Sequence, residues 1–188
     1  RGPKRRAVLA LLALAEGRDP EAEHPFKGNL DVEALARLLA DDAASVAAVI
    51  LTVTNNTGGG QPVSLANTAA VSALCRAHGV LFLLDCCRIA ENSWFVRHRE
   101  PGMAEVPYRE IAQRMFALAD GAVMSAKKDG LANMGGFLAL RDAALADACT
   151  NLLIISEGFT TYGGLSGRDM EAIAIGLQEV LEEEYLQY

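Results

Sequence analysis

Two lysines stand side by side in "MSAKKDG", Met124 to Gly130, directly after a run of small and apolar residues. An amine desolvated at a strand end gives up its proton more readily, which makes it a nucleophile towards a carbonyl carbon. Ser125 precedes Lys128 by three residues and Lys127 by two, so a hydroxyl stands beside both amines. Asp85 closes the apolar run "VLFLLD", and Arg88 follows one helical turn later. An unpaired carboxylate there costs several kcal/mol in desolvation. Asp85 therefore either caps a helix, pairs with Arg88, or holds a heterocyclic nitrogen in its protonated form. Asn55 and Asn56 end a third apolar run and offer hydrogen bonds to a polar ligand edge.

Each group alone has a plain alternative: a solvated turn for the lysines, a cap or ion pair for the aspartate, a loop for the asparagines. Taken together, amine with hydroxyl, carboxylate with arginine, and amide at three strand ends are the set a pyridoxal phosphate site requires. The neighbouring "NNTGGGQP" contains neither GxGxxG nor GK[ST], so it reads as a flexible turn rather than a nucleotide loop.

The elements that position these groups alternate. Asp31 opens an amphipathic helix, "DVEALARLLADD", with Val32, Leu35, Leu38 and Leu39 on one face. "SVAAVILTVT" (45–54) is a buried strand. Ser64 caps a helix through "LANTAAVSALCRAHG" that stops at Gly79. "VLFLLD" (80–85) is the second strand, "YREIAQRMFALAD" (108–120) a helix, "GAVMSA" and "GGFLALRD" further strands. A helix is expected near 142–153, and the acidic tail from Ser166 to Tyr188 reads as one long helix. The pattern predicts an α/β fold with a mostly parallel sheet and helices on both faces. In such sheets ligands bind beyond the carboxyl ends of the strands, where the unusual residues of this chain lie.

The 188 residues suffice for one domain with a sizeable core, and a formal charge of −7 disfavours nucleic acid or an anionic membrane as partner. Cys75, Cys86, Cys87 and Cys149 have no CxxC spacing, and His24, His78 and His98 are scattered, so neither type is assigned a metal. The thiols read as reduced, which places the chain in the cytoplasm. The basic start and the apolar run Ala7–Ala15 resemble a secretory leader, but no small-x-small cleavage site follows, and a capping helix is the preferred reading.

Four ordered blocks carry a resemblance: "NNTGGGQPVSLAN", "LLDCCRIAENSWF", "ADGAVMSAKKDGLANMGGF" and "EGFTTYGGLSGRDMEAIAIGL". Together they resemble the tryptophanase and tyrosine phenol-lyase family of β-eliminating lyases. The resemblance implies a pyridoxal-phosphate-dependent enzyme of fold type I, a homotetramer acting on an aromatic amino acid. Residues 18–188 would be the core of its large domain, and residues 1–17 an N-terminal helix or extension. It implies Lys128 as the amine that links to the cofactor and moves the α-proton, with Lys127 as its electrostatic neighbour. Asp85 would pair with the ring nitrogen, Arg88 and Asn56 with the phenolic-oxygen side, and Ser125 with the phosphate. Tyr162 would lie near the site at a subunit contact, and the Asn133 carbonyl would help bind an activating monovalent cation, potassium. The implied reaction is β-elimination from tryptophan to indole, pyruvate and ammonium, or from tyrosine to phenol. Complete members are considerably longer, so a truncated relative without activity is the third reading. In "DCC", cysteines replace the small residues that follow the family aspartate.

Overall fold

The computed structural model describes residues 25–188; the expected extension over 1–17, the start of the connector after it, and His24 lie outside them. The first helix, α1 (Val32–Asp42), starts where Asp31 Oδ1 accepts the Ala34 N–H at 3.0 Å. A 3-10 turn (Ala43–Ser45) leads to β1 (Ala48–Thr52). In α2 (Leu65–His78), Ser64 Oγ accepts the Asn67 N–H, and the Glu100 carboxylate accepts the Leu65 and Ala66 N–H groups at 2.7 and 2.9 Å. Three otherwise orphaned donors of the first turn are thereby satisfied. At the other end Gly79 takes φ +65°, the left-handed conformation glycine adopts most readily.

Next come β2 (Leu81–Asp85), α3 (Ile89–Arg99), α4 (Tyr108–Leu118), β3 (Gly121–Ser125) and β4 (Gly136–Leu140). The chain closes with α5 (Ala143–Ser156), α6 (Gly167–Glu179) and α7 (Glu183–Gln187). The sheet order is β1-β2-β3-β4, with β1, β2 and β3 parallel and β4 antiparallel to β3. The mostly parallel α/β sheet expected from the alternation is the fold.

Strand alternation divides the sheet into two unlike faces. Val49, Leu51, Phe82, Leu84, Ala122 and Met124 are buried in one core with Leu35, Leu39, Val71, Cys75 and Met115 of α1, α2 and α4. The alternate set, Ile50, Leu83, Val123 and Leu138, is only half-buried or exposed. Asp85 belongs to that second set, because the register pairs Thr52 with Asp85 and Asp85 with Val123. Helix α5 has no buried residue, and Leu152, Ile154 and Ile155 lie open.

One element differs from the sequence expectation, and one is not announced by it. The acidic tail is two helices, broken at Val180–Glu182, because Val180 is buried while Glu182 and Glu183 reach Arg109 and Arg97 at 3.4 and 3.5 Å. Helix α3 has no clean apolar stripe, since Asn92 and Ser93 are buried beside Ile89, Ala90 and Val96. Its Asn92 amide clamps the loop after β1: Oδ1 accepts the Val63 N–H at 2.8 Å and Nδ2 donates to the Val63 carbonyl at 2.9 Å.

Candidate active site

The carboxyl ends of β1, β2 and β3 are tied together by backbone hydrogen bonds. The Val53 N–H donates to the Asp85 carbonyl at 2.9 Å, Arg88 N–H to Val53 at 3.1 Å, and Cys86 N–H to Val123 at 2.9 Å. Residues 85–88 are thus sewn to both neighbouring strand ends, and α3 starts there with Arg88 at its N-cap. Asp85 accepts from Thr52 Oγ1 at 3.5 Å and the Cys87 N–H at 3.3 Å, both long contacts, and the Cys87 thiol donates to it as well. Among the described residues no ion pair joins it to Arg88. A half-buried carboxylate with lone pairs to spare is an acceptor waiting for a strong donor.

Cys87 sits between Asp85 and the lysine loop. Its Sγ accepts the Ser125 N–H at 3.0 Å. Burial first, and then the hydrogen bond to Asp85, push the Cys87 thiol up, while the Ser125 N–H and the Lys128 cation pull it down. Cys86 is pushed up to about 12, again mainly by burial, so both thiols stay protonated at neutral pH. Lys128, whose charge acts on Cys87, is half-buried, whereas Lys127 is exposed.

The lysine loop is closed by Ala126 N–H donating to Gly135 at 2.9 Å, Ala132 N–H to Ala126 at 3.1 Å, and Leu131 N–H to Lys128 at 2.9 Å. It is also packed without space for side chains at two points. A Cβ on Gly130 would lie 2.7 Å from Ala126, and one on Gly176 of α6 would collide with the Gly130 carbonyl. Beneath it Asp129 is buried, and its Oδ2 accepts the Ala90 N–H at 2.6 Å. Burial raises its carboxyl from the ordinary 3.8 to about 7, with Glu91 pushing the same way and Arg88 opposing.

The fold therefore brings together Asp85, Arg88, Ser125 and Lys128 of the residues singled out in the sequence, and adds Cys87 and Asp129. Asn55 is consumed locally, accepting the Gly58 N–H at 3.0 Å, which leaves Asn56 as the exposed amide of that turn. Asn133 is exposed in the lysine loop. Tyr162 is half exposed between α5 and α6, its ring tilted against Phe159 at 6.5 Å. No contact ties either residue to the Asp85–Lys128 group among the described residues.

The fold is that of a known class. A solved structure described as an aromatic amino acid β-eliminating lyase/threonine aldolase, from Exiguobacterium sp. 255-15, superposes with a TM-score of 0.55 at 22% identity, covering 76% of this chain and 36% of that one. A second, a SepCysS–SepCysE N-terminal domain complex, gives 0.52 at 20% identity, covering 89% and 40%. Both likenesses speak for the fold alone. Sequence narrows the class. The family model for β-eliminating lyases matches residues 6–183. A tryptophanase of Hyphomonas neptunium is 54% identical over 94% of this chain and 39% of its own length. A tyrosine phenol-lyase of Intrasporangium calvum is 45% identical over 92% and 37%. The chain belongs to the β-eliminating lyase family. It spans about two fifths of the length of these curated relatives.

The family implies pyridoxal phosphate, and the residues present fit it. Ser125 Oγ is buried without a hydrogen-bond partner, and a phosphate oxygen would accept from it. The unsaturated Asp85 carboxylate would accept from a protonated ring nitrogen, and Lys128 supplies the half-buried amine an aldehyde needs. Asp129 is not singled out by the sequence, and Cys87, which reads there as a buried small apolar group near the site, is given no role in it.

Proposed function

We propose that this chain carries the cofactor-binding core of a pyridoxal-phosphate-dependent lyase that releases indole, pyruvate and ammonium from tryptophan. The reading is supported by Asp85 and Ser125 standing at adjacent strand ends, with the Ser125 hydroxyl unpartnered and the half-buried Lys128 three residues beyond it. When bound, pyridoxal phosphate supplies the electron sink that makes the substrate α-proton acidic. The protein's part is positional and protolytic. Asp85 keeps the ring nitrogen protonated, Arg88 and Asn56 orient the ring from its phenolic-oxygen side, and Ser125 anchors the phosphate. Lys128 would hold the cofactor aldehyde and, as a free amine, would serve as the general base for the α-proton. Lys127, exposed beside it, is its electrostatic neighbour in the loop.

Tryptophan is preferred over tyrosine because the tryptophanase relatives reach 54 and 55% identity, against 45 and 44% for the tyrosine phenol-lyases. The same reading carries potassium at the Asn133 carbonyl, Tyr162 at a subunit contact, a homotetramer and a cytoplasmic location. A second reading is a relative that folds without turning over. Loading with pyridoxal phosphate, reducing with borohydride and mapping the modified peptide tests the site. Label on Lys128 is expected, and label on Lys127 alone would overturn the assignment. Pyruvate release from tryptophan, but less from tyrosine, is the expected activity; none from either substrate favours the second reading.

A further inference from the structure

Asp129 follows the two lysines and is held more firmly than either. Its side chain is 4% exposed, although an aspartate is rarely buried without a strong partner. Two contacts bind it to the segment that carries Asp85 and Arg88. Its own N–H donates to the Cys87 carbonyl at 3.2 Å, and its Oδ2 accepts the Ala90 N–H at 2.6 Å. Ala90 is the second residue of α3, so the carboxylate also meets the positive end of that helix, one residue from the Arg88–Ile89 junction.

The geometry has a mechanical consequence. Lys128 lies on a loop that leaves β3 and returns to β4, and its closing bonds at Ala126, Leu131 and Ala132 are internal to that loop. Those bonds fix the loop's shape but not its position over the end of β2. The docking comes from the Gly130–Gly176 approach on one side and from Asp129 on the other. The root of the loop is tied to the segment bearing the carboxylate and the guanidinium by the Ser125 N–H bond to Cys87 Sγ, and beyond the lysines Asp129 is the residue that reaches it.

We propose that Asp129 is a positioning residue, whose carboxylate clamps the lysine loop to the first turn of α3 and so fixes the distance of the Lys128 amine from Asp85 and Arg88. The role rests on the reading of Lys128 as the cofactor-linking amine. Arg88 lies near enough to favour the charged carboxylate, while Glu91 opposes it, so the clamp is weakly biased from both sides by α3 itself.

Two measurements on the full chain test it: amide hydrogen exchange without cofactor, and the rate of borohydride-fixed labelling of Lys128 by pyridoxal phosphate. In Asp129→Ala, exchange across 88–92 and 126–132 is expected to rise about tenfold, and labelling of Lys128 to fall by a similar factor. Asp129→Asn keeps an acceptor oxygen for the Ala90 N–H and is expected to restore both to within about threefold of the parent. If Asp129→Ala does not fold, Asp129→Gln, with its acceptor one methylene too far out, takes its place and is expected to lower labelling likewise. Unchanged labelling in a folded Asp129→Ala or Asp129→Gln variant overturns the positioning role. An unlabelled Lys128 in the parent overturns the cofactor reading instead, and unchanged exchange of 126–132 in the variant would then overturn the clamp as well.

Discussion

The two faces of the sheet are made from the same strands and do different work. On one, Val49, Leu51, Phe82, Leu84, Ala122 and Met124 vanish under α1, α2 and α4. On the other, Ile50, Leu83, Val123 and Leu138 remain half-buried or exposed, and Asp85 and Ser125 share that side with them. The sealed face holds the fold together. The open face carries the groups with unspent hydrogen-bonding capacity, the Asp85 carboxylate and the Ser125 hydroxyl. The difference teaches where to look for chemistry: polar atoms that the fold has left unsatisfied, on the side it has not closed.

If that division holds, substitutions should separate cleanly. Lys128→Ala should abolish borohydride-fixed cofactor entirely while leaving the thermal midpoint within a few degrees, whereas Lys127→Ala should still be labelled. A large midpoint shift in Lys128→Ala would show that the site also carries stability and blur the comparison. On the sealed face, Leu84→Ala should cost about 2–5 kcal/mol in urea unfolding, since Leu84 is fully buried.

Asp129 lies between the two regimes, buried yet part of the site. Its folded carboxyl titrates at about 7 against an ordinary 3.8, so between those values the folded state holds more protons than the unfolded one. Stability from this group is therefore greatest at the acid end and is lost as pH rises through about 7. Arg88 and the Ala90 and Glu91 N–H groups limit the loss, and Glu91 adds to it. Asp129→Asn should flatten this part of the stability profile, by about 4 kcal/mol at most across the window. Denaturant midpoints measured at pH 4 through 8 would read it, and parallel profiles for the two proteins would contradict it. The smallest effect belongs to the open face: Leu138→Ser should change stability by less than about 1 kcal/mol. A cost like that of Leu84→Ala would mean this face is sealed in solution.

Much of this was legible in the sequence because it depends on local rules. Strands β1, β2 and β3 follow from continuous apolar runs, and the starts at Asp31 and Ser64 and the stop at Gly79 follow from capping chemistry. What escaped depends on distant contacts. Helix α3 hides its period because Asn92 and Ser93 are buried, Asn92 to serve Val63 across the chain. The break between α6 and α7 needs Arg97 and Arg109 from earlier helices. The reversal of β4 follows from the loop that folds Gly135 back onto Ala126. Likewise, the sequence brings Asp85, Ser125 and Lys128 to strand ends, but nothing local in "KKDG" tells that its aspartate turns inward to α3.

Helix α5 has a consequence for how the isolated chain behaves as a colloid. Leu152 is 65% and Ile155 is 85% exposed, and Phe159 follows them just beyond the helix. Contact between such patches is favourable, and the formal charge of −7 opposes it by repulsion between molecules. Acidification neutralises carboxylates and added salt shortens the range of the repulsion, so either should bring folded chains together. Turbidity should then appear without any loss of helix signal, and clear again when the pH is raised and the salt removed.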